Sequence, residues 1–217
     1  MIRLNLKKNG DSGFNILCLG AHSDDIEIGC GGTILSLANQ YPGSVFHWVV
    51  FSAVGEREVE ARRAASAFVN PTALKGPILK KFRDGFLPFA GAEVKTVFEE
   101  LKQSISPDLI FCPSRRDSHQ DHRLIGELTW NTFRNHFILE YEIPKYDGDM
   151  GQPSVFCQLD AELARNKVSH LMDIFQSQHA KQWFEESTFL SLMRLRGMEC
   201  NAPSGYAEAF YCRKLVL

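Results

Sequence analysis

The chain carries almost no charge imbalance and no long hydrophobic run. Its formal net charge is −2 over 217 residues. Basic residues pair up at Arg62-Arg63, Lys80-Lys81 and Arg115-Arg116 without lining up into a stripe. Nucleic-acid binding needs a concentrated basic footprint and is not expected. No uninterrupted apolar segment approaches the ~20 residues that span a bilayer, so no membrane span is expected. The stretch from Met1 to Lys8 lacks an apolar core of signal-peptide length. The six cysteines, Cys18, Cys30, Cys112, Cys157, Cys200 and Cys212, include no C-x-x-C pair. That excludes a zinc knuckle and a thioredoxin-like redox motif. Cys18 and Cys112 sit inside apolar runs, where cysteine behaves as a small hydrophobe. The expected location is cytoplasmic.

Several familiar site motifs are missing as well. Gly29-Cys30-Gly31-Gly32 lacks the third glycine of a dinucleotide-binding fingerprint. There is no G-x-x-x-x-G-K-[ST], which removes a P-loop, and no G-x-S-x-G, which argues against a serine α/β-hydrolase. The absence of H-E-x-x-H excludes a helical zincin site.

What is present is an alternation of strands and helices. Asn15 to Gly20 is a short continuous apolar run, the pattern of a strand buried on both faces. Gly29 to Gln40 opens with glycines that allow close backbone approach and then turns helical. Ser44 to Ser52 reads as a strand, and Glu56 to Val69, rich in Ala, Glu and Arg, as a helix. A less regular stretch around Phe82 to Pro88 precedes a helix from Ala92 to Ser104, and Leu109 to Cys112 is the next buried strand. Further on, Phe137 to Ile143 is a strand, Asp160 to Gln176 and Trp183 to Leu195 are helices, and a last strand runs near Phe210 to Leu217. This order predicts a Rossmann-like, open and mostly parallel α/β sheet with helices on both faces. With no linker or repeat, one domain over 1–217 is expected. A chain of this length buries roughly 70% of the surface its unfolded form exposes, enough for a sizeable core.

Two chemical clusters follow predicted strands directly. Gly20-Ala21-His22-Ser23-Asp24-Asp25 follows the first, and Asp117-Ser118-His119-Gln120-Asp121-His122 follows the strand at Leu109. Open α/β sheets place ligands at the carboxyl ends of their strands. Catalytic zinc takes three N/O/S ligands and keeps a fourth position open. His22, Asp25 and His122 would supply that set, leaving Asp24 and His119 for proton transfer. Helix capping would account for one of Asp24 and Asp25, but not for His22 or the second cluster. His47, His136 and His170 stand alone and read as packed or surface residues. Such a site suits hydrolysis by metal-activated water, with a carboxylate as general base.

The segment AHSDDIEIGCGGTI resembles the signature of the PIG-L/LmbE-like zinc-dependent N-deacetylases, and His119-Gln120-Asp121-His122 resembles their second motif, His-x-Asp-His. The helix Arg57 to Ala65 is similar to the family's Arg-Glu-rich helix. Phe175-Gln176-Ser177-Gln178, Arg196-Gly197 and Ser204 to Phe210 resemble bacterial members. The likeness runs from about Asn15 onward. It implies one zinc ion per chain on His22, Asp25 and His122, with Asp24 as general base. His119 would stabilise the oxyanion or protonate the amine; if it acts as an imidazolium, the nearby negative charge of Asp121 is expected to raise its pKa. Asp121 would orient a histidine, and Arg57 would bind the acyl or sugar group. The implied activity is hydrolysis of a linear amide C–N bond, removing an N-acetyl group from a sugar or sugar-containing metabolite. The alternatives are a metal-dependent amidase or esterase acting on a non-sugar substrate, or a silent binding protein. A homo-oligomer is compatible with the sequence. Two positions depart from the family: Ser23 replaces the common proline or alanine, and Asp117 stands where some thiol-sugar deacetylases carry a tyrosine.

Overall fold

The computed structural model describes residues 3, 5, 6 and 13–216. Most of the expected N-terminal reading, including Met1, Ile2, Leu4, Lys7 and Lys8, lies outside the described residues, as does Leu217. The apolar runs form strands β1 (Asn15–His22), β2 (Val45–Ser52), β4 (Leu109–Pro113) and β5 (Phe137–Tyr141), joined by β3 (Leu74–Leu79). These five are parallel, while β6 (Val155–Leu159) and β7 (Tyr206–Tyr211) add an antiparallel edge, giving the order β3-β2-β1-β4-β5-β7-β6. Among the described residues, six α-helices cover the sheet: α1 (Asp25–Gln40), α2 (Glu56–Phe68), α3 (Gly91–Ser104), α4 (Gln120–Thr132), α5 (Ala161–Ile174) and α6 (Glu186–Glu199).

Alternation along the strands splits the core into two layers. Ile16 and Cys18 of β1 join Phe46, Trp48, Phe111 and Phe210 under α1, α2, α5 and α6. Leu17 and Leu19 join Val49, Phe51, Ile110 and Cys112 under α3 and α4. Both faces are therefore dry, which is why these strands read as continuous apolar runs rather than as alternating ones. Among the described residues, no helix is long and apolar enough to cross a membrane.

Helix α1 is broken at Cys30, whose φ of −145° is not helical. A break exposes orphan carbonyls on one side and orphan N–H groups on the other. A buried ion pair covers both ends. Lys167 Nζ donates to the Ile28 carbonyl and to Glu208 Oε1, each at 2.6 Å. The Glu208 carboxylate accepts the N–H groups of Gly32 at 2.9 Å and Thr33 at 2.6 Å. The anion thus meets the start of the second half-helix and the cation the end of the first, as the helix dipole favours. The glycines are what let the chain come this close. A Cβ on Gly29 would sit 2.1 Å from the Tyr141 ring, and one on Gly32 would sit 2.5 Å from Leu159.

Boundaries differ from the sequence expectation at both ends of the chain. Helix α1 begins at Asp25 rather than Gly29, so its first turn carries the acidic cluster itself. The last strand is Tyr206–Tyr211 rather than the stretch from Phe210 onward, and α6 is Glu186–Glu199. Strands β3 and β6 and helix α4 have no counterpart in the sequence reading. β3 contains a Gly-Pro pair and β6 has one fully buried residue, so neither shows a clear apolar period. Helix α4 starts inside the His-x-Asp-His segment and carries Gly126, a poor helix former.

Candidate active site and metal centre

Strand order reverses direction between β1 and β4, and the loops after these two strands face each other there. This is the crevice where doubly wound sheets bind ligands. The β1–α1 junction brings His22, Asp24 and Asp25, and the stretch from β4 into the first turn of α4 brings Asp117, His119, Asp121 and His122. All of the expected site residues except Asp121 line one cavity of about 370 Å³, with Arg57 arriving from α2. Asp121 is fully buried behind it.

His22 Nδ1 and His122 Nε2 face each other at 3.1 Å. Each ring has its other nitrogen on a carboxylate: His22 Nε2 lies 3.2 Å from Asp121 Oδ2, and His122 Nδ1 lies 2.9 Å from Asp117 Oδ2. Those contacts leave His22 Nδ1 and His122 Nε2 facing one another, so that once their protons are displaced both lone pairs can turn on one cation between them. Asp25 Oδ1 lies 3.3 Å from His122 Nε2, while Asp25 Oδ2 accepts the backbone N–H of His22 at 2.8 Å. Ligands at ~2.0–2.1 Å from a tetrahedral zinc are about 3.3 Å apart; the two edges at His122 Nε2 match that spacing, and the third, from His22 Nδ1 to Asp25 Oδ2, is 3.6 Å. The ring nitrogens of His22, His119 and His122 also lie within 4.8 Å of one another, as do donor atoms of His22, Asp84 and Asp121.

The electrostatics agree with this packing. Burial disfavours charge on His22, yet the Asp25 carboxylate and bonds to Asp121, Asp25 and Asp84 push its pKa well above the usual histidine range. His122 is raised to about 9 against the same burial cost, by Asp25 and Asp117. Burial works against charge on Asp25 too, but His122 and His22 hold its carboxyl well below the usual range.

His119 differs from its sequence expectation. Burial and then the charges of His122 and His22 lower its pKa, and Asp121 only partly offsets them. Asp121 spends its oxygens on His22, Gly85 N (2.8 Å) and Leu87 N (3.1 Å). His119 caps α4 instead, its Nδ1 accepting the Asp121 N–H at 3.2 Å. A neutral ring bonded in this way carries its proton on Nε2.

Arg57 donates to Asp24 Oδ1 at 2.5 Å and to Glu60 Oε2 at 3.1 Å. Glu60, nearly buried, also accepts the N–H and hydroxyl of Ser177 at 2.8 and 2.7 Å. The guanidinium is thus taken up by two carboxylates, and Asp24 Oδ2 has no hydrogen-bond partner among the described residues. Sequence reasoning missed Asp84, Glu60, Lys145, Gln178, Lys181 and Trp183, and it missed what Asp117 touches. Asp117 stood inside the quoted cluster, and Asp84-Gly85 is a turn signal after a strand. Glu60 on α2 and Gln178 after α5 lie in segments already singled out, but without a role of their own, while Lys145, Lys181 and Trp183 come from remote loops with no local mark.

A family model described as PIG-L, GlcNAc-PI de-N-acetylase, matches residues 17–133, more than half of the chain. Among solved structures, the chain resembles the N,N'-diacetylchitobiose deacetylase from Pyrococcus horikoshii at a TM-score of 0.73 and 21% identity, covering 92% of this chain and 83% of that one. It resembles the 4-carboxy-2-hydroxymuconate hydratase from Pseudomonas putida at 0.73 and 17%, over 94% and 98% of the two chains. The zinc-inhibited form of a teicoplanin deacetylase matches at 0.66 and 13%, over 91% and 97%.

Proposed function

The chain belongs to the PIG-L (GlcNAc-PI de-N-acetylase) family, and from that premise we propose that it is a metal-dependent hydrolase removing an N-acetyl group from an acetamido sugar. The observation that carries the reading is the pair of imidazole nitrogens 3.1 Å apart, each backed by a carboxylate. His22, Asp25 and His122 would hold one divalent ion, zinc being the first choice for this N/O donor set. Such an ion supplies Lewis acidity, lowering the pKa of water and polarising a carbonyl.

The residues around it divide the remaining work. Arg57 holds Asp24 by one oxygen, leaving Oδ2 to take the proton from the attacking water and pass it to the departing nitrogen. The water oxygen bonds to the acyl carbon, the C–N bond breaks, and acetate and free amine leave. His119, neutral and protonated on Nε2, donates a hydrogen bond where negative charge develops on the acyl oxygen. Asp117 and Asp121 fix the two ligand rings from behind. Deacetylases among the similar folds support this reading, while the hydratase shows that the fold alone does not select the reaction.

The test is release of free amine and acetate from a panel of N-acetylated sugars by the metal-loaded protein. Asp24→Asn should keep the metal and lose about 10² to 10⁴-fold in turnover, since an amide cannot take the water proton. Unchanged turnover in a metal-loaded Asp24→Asn protein would place the base elsewhere. Release of amine from non-sugar amides only would favour the amidase alternative.

A further inference from the structure

Three cationic side chains line the active-site cavity: Arg57, Lys145 and Lys181. Two are neutralised within the protein. Arg57 is held by Asp24 and Glu60, and Lys145 lies 2.9 Å from Asp117 and 3.0 Å from Asp149. Lys181 has no carboxylate within 4.0 Å among the described residues. Its ammonium stands over the Trp183 ring, 5.5 Å from the centroid. Trp183 is in turn wedged edge-on against Tyr146 at 6.4 Å and Phe184 at 5.6 Å. An aromatic face holds a cation in place without cancelling its charge.

The acidic wall residues make their close ion pairs with other groups. Asp24 is committed to Arg57, Asp25 to His22 and His122, and Asp84 to His22 at 3.1 Å. A cavity of about 370 Å³ lies within the ~300–1,000 Å³ usual for small-molecule sites. A charged donor anchored in its wall, beside an exposed rim, is placed to meet charge on the ligand.

We propose that Lys181, anchored by Trp183, is a specificity-determining residue for an anionic group, so that the substrate is an acetamido sugar bearing a phosphate or a carboxylate. This inference rests on the deacetylase reading for the reaction but not for the binding. Lys181 contacts the charged substituent and takes no part in the bond changes.

The test measures initial rates on N-acetylglucosamine, its 1-phosphate, its 6-phosphate and N-acetylmuramic acid, using metal-loaded wild type, Lys181→Met and Lys181→Arg. At least one anionic sugar should exceed the neutral one about tenfold in kcat/KM, ~1.4 kcal/mol, with the difference residing in KM. Lys181→Met should erase that advantage, Lys181→Arg should retain most of it, and about 0.5 M salt should weaken it by screening. The phosphate and carboxylate arms identify which anion is read. No anionic preference in the wild type, or an equal loss on all four sugars in Lys181→Met, would overturn the inference. If no sugar releases amine, the reaction reading fails by itself, and equilibrium titration with the same four sugars decides Lys181. Tighter binding of an anionic sugar by wild type than by Lys181→Met supports the subsite; equal binding, or none, refutes it.

Discussion

Replacing Asp117 with Asn isolates the contribution of the carboxylate behind His122. Asp117 Oδ2 lies 2.9 Å from His122 Nδ1, and both side chains are only 4% exposed. The substitution keeps the shape and a hydrogen-bonding carbonyl but removes the charge, and charge-assisted hydrogen bonds are roughly twice as strong as neutral ones. Losing a partner of this kind typically costs about 10–100-fold in metal affinity, or ~1.4–2.7 kcal/mol. The fold should tolerate it, because Lys145 keeps Asp149 at 3.0 Å and is not left as an unpaired buried ammonium. Protons compete with the metal, and the sign can be worked out. His122 titrates at about 9, so below that pH metal uptake must displace its proton. Removing Asp117 lowers His122's affinity for proton and metal together, so part of the loss cancels at pH 7 and the full loss appears above about pH 9. The assay titrates metal-free protein with zinc against a chromogenic chelator at both pH values, with cobalt absorption reporting the coordination geometry. Zinc affinity within twofold of wild type at high pH, or a loss larger at pH 7, would refute the reasoning. A loss that merely follows a lower stability of the metal-free protein would do so too.

Three further outcomes are expected. His119→Ala should retain zinc and slow turnover roughly 10²-fold or more, as for loss of an oxyanion donor; full rescue by added zinc would reduce His119 to a helix cap. Glu27 is fully buried and neither oxygen meets a donor of another residue among the described residues, so burial, aided by Asp24 and Asp25, pushes its carboxyl well above the usual range. A raised carboxyl binds more protons folded than unfolded, so this group's contribution to stability is present below the unfolded pKa of ~4.3 and is lost as pH rises through the folded value. Glu27→Gln should therefore gain on wild type between pH 5 and pH 8 in urea unfolding of the metal-free protein, and a pH-independent difference would exclude a protonated Glu27. Lys167→Met or Glu208→Gln alone breaks a buried pair and should cost about 3–5 kcal/mol. At ~2–4 °C per kcal/mol that lowers Tm by about 6–20 °C, and the double variant should lose less than the sum; additive losses would show that the pair is not coupled.

The local sequence determined much of this molecule. Apolar runs at Asn15, Val45 and Leu109 are strands because a sheet buried on both faces needs side chains that are apolar without alternation, and that pattern is visible one segment at a time. The two His/Asp clusters were legible for a similar reason: each sits in one loop, within a few residues of a strand end. Edge elements were not legible, because β3 and β6 are half solvated and their composition follows their neighbours rather than a period. Only the tertiary structure decided which groups work on which. Asp121 is next to His122 in sequence, yet its carboxylate serves His22 across the crevice, while Asp117 serves His122. His119 lies beside an aspartate but bonds its backbone, so burial and the neighbouring imidazoles govern its proton. Lys167 and Glu208 meet at a break in α1 that lies far from both in sequence. Contacts of this kind depend on distance and orientation after the sheet has assembled, and a linear sequence carries no record of either.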